Sequence, residues 1–480
     1  ICACLVGSEM CIRDRVYTMP EFLERRYNPQ SRTILSVISL VSYVLTKVAV
    51  TVYAGGLVFQ QVFGIKELWG IDFFWIAAIG LVVLTALYTI FGGMKSVLYT
   101  SVLQTPILLL GSLIILVLGF KELGGWDEMM RVCGAVTVND YGDTMTNLIR
   151  SNDDANFPWL GALIGSAIIG FWYWCTDQFI VQRVLSGKNE MEARRGTIFG
   201  AYLKLLPVFL FLIPGMIAFA LHQKYIGAGG EGFLPMLANG TANADAAFPT
   251  LVAKLLPAGV KGLVVCGILA ALMSSLASLF NSSAMLFTID FYKRFKPETP
   301  EKKLVGIGQI ATIVIVVLGI LWIPIMRSVG DVLYTYLQDV QSVLAPGIAA
   351  AFLLGICWKR TSAQGGMWGL ISGMVIGLTR LGAKVYYSNA GEVADSTFKY
   401  LFYDMNWLFF CGWMFLFCII VVIVVSLATE APTAEKIQGL VFGTATKEQK
   451  AATRASWNHW DIIHTVIILA ITAAFYWYFW

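Results

Sequence analysis

GAYLKLLPVFLFLIPGMIA, residues 200–218, carries a single charged side chain, Lys204, in nineteen residues. Wound as an α-helix at 1.5 Å per residue, a stretch of this length covers the ~30 Å of hydrocarbon in a bilayer. Similar blocks recur along the chain, near residues 33–63, 71–91, 97–120, 158–181, 197–222, 258–291, 304–326, 331–357, 364–382, 406–428 and 461–479, eleven in all. Hydrophobic residues make up 58% of the 480 and charged residues 13%, about half the roughly 25% of a soluble domain. The sequence therefore reads as an all-α polytopic membrane protein. No interhelical segment is long enough for a soluble domain, so residues 16–480 form one transmembrane domain with a linker at 429–460.

The net charge of +4 says little, but the distribution of Lys and Arg orients the chain. Arg25, Arg26 and Arg32, Lys95, the group Arg183 to Arg195, the group Lys293 to Lys303, Lys359 with Arg360, and Lys436 to Arg454 fall on one side, the expected cytoplasmic side. The longer segments 121–157, 223–257 and 383–405, rich in Gly, Asn and Asp, fall on the other. Residues 1–15, ICACLVGSEMCIRDR, have no signal-peptide order, because the basic residues follow the apolar ones. VGSEMCIRDR is the translation of a transposase adapter used in sequencing libraries, so this stretch is expected to be foreign to the protein. Cys2, Cys4 and Cys11 then drop out, and Cys133, Cys175, Cys266, Cys357, Cys411 and Cys418 imply neither a metal site nor a disulfide framework.

Several spans carry interruptions. Gly161, Gly165 and Gly170 precede a polar WYWCTDQ at 172–178, Pro207 and Pro214 punctuate the next span, and Ala345-Pro346-Gly347 is expected to break the eighth. Broken helices inside hydrocarbon free backbone groups, which are tolerated where they line a cavity or hold a solute; simple kinking is the alternative. Lys204 sits among apolar residues too far from a helix end to snorkel, and a buried ammonium costs at least ~2.5 kcal/mol at membrane depth, so it needs a partner or a function. Asp177 or Gln178 could pair with it; alternatively Asp177 pairs with Arg183. Ser274 and Ser275 offer neutral hard oxygens of the kind sodium prefers, though serines in such spans also bond their own backbone. Gln338 suits hydroxyl-rich ligands, and Tyr173 and Tyr334 offer flat faces for a sugar ring.

From MPEFLERRYN at 19–28 onward the chain resembles the sodium/solute symporters, and among them the sodium/glucose and sodium/galactose cotransporters. WYWCTDQFIVQRVLSGKN (172–189), GAYLKLLPVFLFLIPGMIA (200–218), ILAALMSSLASLFNSSAMLFTIDFYKRF (268–295) and VLAPGIAAAFLLGICWKRTS (343–362) carry the likeness. It implies an inverted five-helix-repeat, LeuT-like transporter fold, working by alternating access in the plasma (inner) membrane. Carried over, Tyr173 resembles an inner gating tyrosine, Lys204 and Gln338 sugar-hydroxyl partners, and Tyr334 an aromatic wall. Ala271, through its carbonyl, with Ser274 and Ser275 resembles half of the sodium site. About eleven of fourteen spans are expected here, the first core helices being absent, so the chain as it stands is expected not to transport. Ser101 stands where relatives often carry Asp, which implies one sodium per sugar, and Gly170 stands where they often present Asn or Thr.

The resulting expectation is sodium-coupled symport of a glucose- or galactose-like monosaccharide. Another solute (myo-inositol, a sialic acid, an amino acid) and a sensor that binds sugar without flux are the alternatives. The partners expected are the sugar or polyol, sodium and lipid, with no nucleic acid and no obligatory protein. With only His222, His459 and His464, no catalytic Ser/His/Asp or metal-ligand set is visible, and an enzyme is not expected.

Overall fold

A computed structural model describes residues 18–479 apart from 238–239, 330–331 and 390–393. Residues 1–15, read above as foreign, lie outside the described residues. The helices are α1 (Met19–Arg26), α2 (Pro29–Ser42), α3 (Ala49–Phe63), α4 (Phe73–Leu123), α5 (Trp126–Gly134), α6 (Trp159–Cys175), α7 (Gln178–Leu185), α8 (Glu190–Pro207) and α9 (Ile213–Gly227). They continue as α10 (Ala247–Leu255), α11 (Ala258–Met285), α12 (Glu301–Val329), α13 (Leu333–Cys357), α14 (Ala363–Asn389), α15 (Trp407–Ala428), α16 (Lys447–Ala455) and α17 (His459–Tyr478).

Among the described residues, eight helical stretches are long and apolar enough to cross a membrane, and the bent pair α6–α7 makes a ninth. Two further expected spans fall below that measure. One lies in the first part of α4, and the other, α14, carries Arg380, Lys384 and a run of glycines. The expected spans 71–91 and 97–120 are joined in one helix, α4: between them Gly92 and Gly93 cost a helix only about 1 kcal/mol each. The expected break at Ala345-Pro346-Gly347 is also absent, since α13 runs through it. Gly347 serves packing there: a Cβ on it would meet Gly373 Cα of α14 at 2.9 Å. Pro207 does disturb its span. A π-helical turn, Val208–Leu212, follows it and takes up the backbone groups that the proline ring cannot bond.

The residues divide into two compact units, each described by itself. The first comprises residues up to 47, 152–200 and 282–469. Its core joins Phe22, Leu23 and Tyr27 at α1, Trp172 of α6, Phe352 of α13 and Leu408 of α15. Helix α14 packs through glycines at four-residue spacing, Gly365, Gly369, Gly373 and Gly377, which let neighbouring backbones approach as membrane helices do. Gly165 of α6 does the same against Leu408, where an added Cβ would lie 2.8 Å from the carbonyl oxygen, so this glycine is a packing residue and not a break. Helix α1 starts at an N-cap, Thr18, and ends on the last turn of α13. There Arg26 Nε donates to Gly355 O at 2.8 Å, while the Phe442 amide bonds Ile356 O at 2.7 Å and Thr361 bonds Leu354 O at 2.8 Å. The carbonyls of Gly355 and Ile356 lie in the last turn, where a helix offers no amide of its own, and these donors satisfy them, while Leu354 O also takes the Trp358 amide at 2.9 Å.

The second unit comprises 48–151, 201–281 and the chain from 470. Ile115 and Leu123 of α4, Met129 and Cys133 of α5, Ile217 and Leu221 of α9, Leu251 of α10 and Val264 of α11 form its core. His222 is buried there, its Nδ1 accepting from the Leu234 amide at 3.0 Å.

Candidate functional site

The polar WYWCTDQ segment is where the fourth expected span breaks. Helix α6 ends at Cys175, α7 starts at Gln178, and the two axes differ by 46°. Trp172 O takes the amides of Thr176 (3.0 Å) and Asp177 (3.1 Å) and the Thr176 hydroxyl (2.8 Å), closing the first arm. Asp177 is the N-cap of the second, its carboxylate accepting from the Phe179 amide at 3.2 Å. The same carboxylate accepts from the Tyr43 hydroxyl at 3.0 Å and forms a buried ion pair with Lys47. The expectation that Asp177 serves Lys204 or Arg183 is corrected: its oxygens go to Lys47 and Tyr43, and the Arg183 guanidinium lies 5.8 Å from the Phe179 ring centre.

Lys47 is the residue that sequence reasoning missed. It lies on the π-helical turn Tyr43–Val48 that joins α2 to α3, and its side chain is 9% exposed. The measure that singled out Lys204, one ammonium in a long apolar run, would have found it in VLTKVAVTV. Four rings surround its ammonium: Phe179 at 4.2 Å, Tyr43 at 4.8 Å, Tyr173 at 5.5 Å and Trp172 at 5.9 Å to the ring centres. Such faces attract a cation more strongly when water is excluded. Tyr173, half-buried, is thus held in the first unit next to a charge.

Tyr334 and Gln338 lie one turn apart on α13. The Gln338 amide donates to the Tyr334 hydroxyl at 2.8 Å, and Tyr334 is 55% exposed, so the pair presents its remaining donors and acceptors outward. The next residue, Asp339, points the other way, forming ion pairs with Lys384 and, at 3.7 Å, with Arg380 of α14.

In the second unit α11 carries Ala271, Ser274 and Ser275 within two turns. Ser274 is buried, Ala271 half-buried and Ser275 exposed. The Ser101 hydroxyl lies 2.5 Å from that of Ser274, so the residue expected to bear on a second sodium touches the first set. Neutral hydroxyls and a carbonyl at this spacing match the hard oxygens an alkali cation takes. Among the described residues no group of three or more His, Cys, Asp or Glu could hold a transition metal. Lys204, on α8, is exposed at the surface of this unit. Its apolar neighbours along the chain, Leu206 and Phe209, are themselves exposed at 36% and 44%. Adding a Cβ at Gly170, in the first unit, meets nothing within 4 Å.

The model of the sodium:solute symporter family matches residues 1–373. The chain belongs to this family. This symporter-family chain is 34% identical to a sodium/mannose cotransporter of Bos taurus, over 98% of this chain and 81% of that protein. It is 35% identical to sodium/myo-inositol cotransporter 2 of Homo sapiens over 90% of this chain, and 36% identical to sodium/glucose cotransporter 1 of Ovis aries over 87%. It spans 65% of the length of each of the latter two. A solved structure of a sodium-coupled sialic acid symporter shares its fold, with a TM-score of 0.63 over 90% of this chain and 84% of that one, at 20% identity. The expected transporter fold is therefore the observed one, and the relatives of this symporter-family chain are carriers, not enzymes.

Proposed function

We propose that the protein couples sodium entry to uptake of a glucose- or galactose-like monosaccharide by alternating access in the plasma membrane. The observation that carries this reading is the identity of 34–36%, over most of the chain, to carriers named for mannose, myo-inositol and glucose. Two features of the chain support it. The Tyr334–Gln338 pair offers an amide and a hydroxyl of neutral character, suited to hydroxyls and not to a carboxylate. Ala271, Ser274 and Ser275 are the sodium ligands in this reading, and the contact of the neutral Ser101 hydroxyl with Ser274, where no carboxylate stands, supports one sodium per sugar. Coupling then requires only that sodium bind better to the state that also binds sugar. Tyr173, Lys204, Gln338 and Tyr334 are the substrate contacts in this reading. A polyol such as myo-inositol is the second reading, favoured by the myo-inositol cotransporter among the relatives.

The test is uptake of labelled glucose, galactose, mannose, myo-inositol and sialic acid, with and without sodium, by cells expressing the gene. Lys204→Ala and Gln338→Ala should each reduce sugar uptake at least tenfold at equal protein level, as expected for a lost hydrogen bond of about 1.5 kcal/mol. Ser275→Ala should raise the sodium concentration for half-maximal uptake, and Ser101→Asp should raise the sodium-to-sugar ratio from one towards two. Sodium-independent uptake, or no response of any of these variants, defeats the reading.

A further inference from the structure

We infer that Lys47 is a positioning residue: it pins the bend between α6 and α7 and sets the ring of Tyr173, acting on the transported solute through Tyr173 without touching it. The inference rests on the role proposed above for Tyr173.

Its basis is that one ammonium reaches both arms of the break. Trp172 and Tyr173 precede the bend and Phe179 follows it, and the ammonium of Lys47 faces all three rings, at 5.9, 5.5 and 4.2 Å from their centres. Between them it pairs with Asp177, the residue that caps α7. The Tyr43 hydroxyl repeats the arrangement, donating to Asp177 at 3.0 Å and accepting from the Phe179 amide at 2.9 Å. A helix interrupted at two residues has two free dihedral pairs, and its direction is set by whatever holds the groups released there. Here the hold on Asp177 and on the rings comes from one turn of another helix, the π-helical turn Tyr43–Val48, which carries both Tyr43 and Lys47, while the Met19 amide separately bonds Gln178 Oε1 at 2.9 Å. The side chain of Asp177 is 2% exposed, so neither charge has water as a substitute partner. A shift of this turn therefore has to move the bend, the ring of Tyr173 or both.

A purely structural ion pair would support folding and nothing else, and removing both charges together separates the two roles. Lys47→Met combined with Asp177→Asn leaves no buried charge and keeps a capping side chain at 177. At equal membrane protein level, the solute concentration for half-maximal uptake should rise at least tenfold, while maximal uptake stays within twofold. Tyr43→Phe, which removes one hydroxyl, should shift it in the same direction by about threefold. Half-saturation within twofold of wild type in the double variant, or in Tyr43→Phe should the double variant not reach the membrane, overturns the inference. A readout that needs no transport keeps this apart from the proposed function. A Thr176→Cys thiol, buried at the bend, should react with a water-soluble maleimide at least tenfold faster in the double-variant background, followed by mass spectrometry of that peptide. An unchanged rate overturns the pinning whatever solute is carried, whereas absence of sodium-dependent uptake in wild type defeats only the functional reading.

Discussion

Gly373→Ala is a one-carbon change whose cost follows from the contact of α13 with α14. The added Cβ would lie 2.6 Å from Gly347 Cα and 3.1 Å from Gly347 N, where ordinary contact begins at 3.4 Å. Both atoms are backbone, so no side chain can rotate aside, and the helices have to part by about 1 Å. A gap of that size forfeits a quarter to a half of each dispersion contact along the seam, and overpacking of this kind costs about 1–3 kcal/mol. Alanine returns about 1 kcal/mol through its helix propensity, leaving Gly373→Ala destabilised by up to about 2 kcal/mol. Gly382, nine residues further along the same helix, is the control: a Cβ there meets nothing within 4 Å, so Gly382→Ala should be neutral or stabilising by up to about 1 kcal/mol. Because Gly347 and Gly373 face each other, the first alanine makes room for the second, and Gly347→Ala with Gly373→Ala should cost less than the sum of the two. Thermal unfolding of the purified protein in detergent, followed by fluorescence-detected size exclusion, gives the ranking. Equal stability of Gly373→Ala and Gly382→Ala, or strict additivity in the pair, would refute the reasoning.

Asp290 is fully buried and accepts from Thr18 at 2.9 Å and from Arg32 Nε at 2.7 Å, so Asp290→Ala leaves Arg32 with Glu24 as its remaining carboxylate partner and should cost about 3 kcal/mol. Asp290→Asn, which still accepts both bonds, should cost visibly less, and the yield of monodisperse protein ranks them. In the loop at 139–151, the Ser151 amide and then the Asn139 side chain hold the Asp143 carboxyl below its ordinary range. A lowered carboxyl contributes its stabilisation in full above the ordinary carboxylate range and loses it as the pH falls through the lowered value. Protection of the Ser151 amide against hydrogen exchange should accordingly hold from pH 7 down to about 4 and fall below that; protection unchanged at pH 2 would contradict it.

The membrane class and most of the apolar helices were legible in the chain, because hydrocarbon imposes its length and polarity directly on the order of residues. GAYLKLLPVFLFLIPGMIA reads as a span in any context, and the break at WYWCTDQ was visible as a cluster of polar residues in an apolar run. Partnership was not legible. Lys47 and Asp177 stand 130 residues apart, and Asp290 and Thr18 stand 272 apart. Only the packing of separate helices decides which buried charge meets which, and local charge density points equally to nearer candidates such as Arg183. Glycines likewise read alike along the sequence. Whether one interrupts a helix or admits a neighbour depends on what lies across from it, as with Gly347 against Gly373 and Gly165 against Leu408. A single span sees only water and lipid, and one-dimensional order suffices to describe that; contacts between spans are set by the third dimension, because a side chain's partner is chosen by where its helix is held.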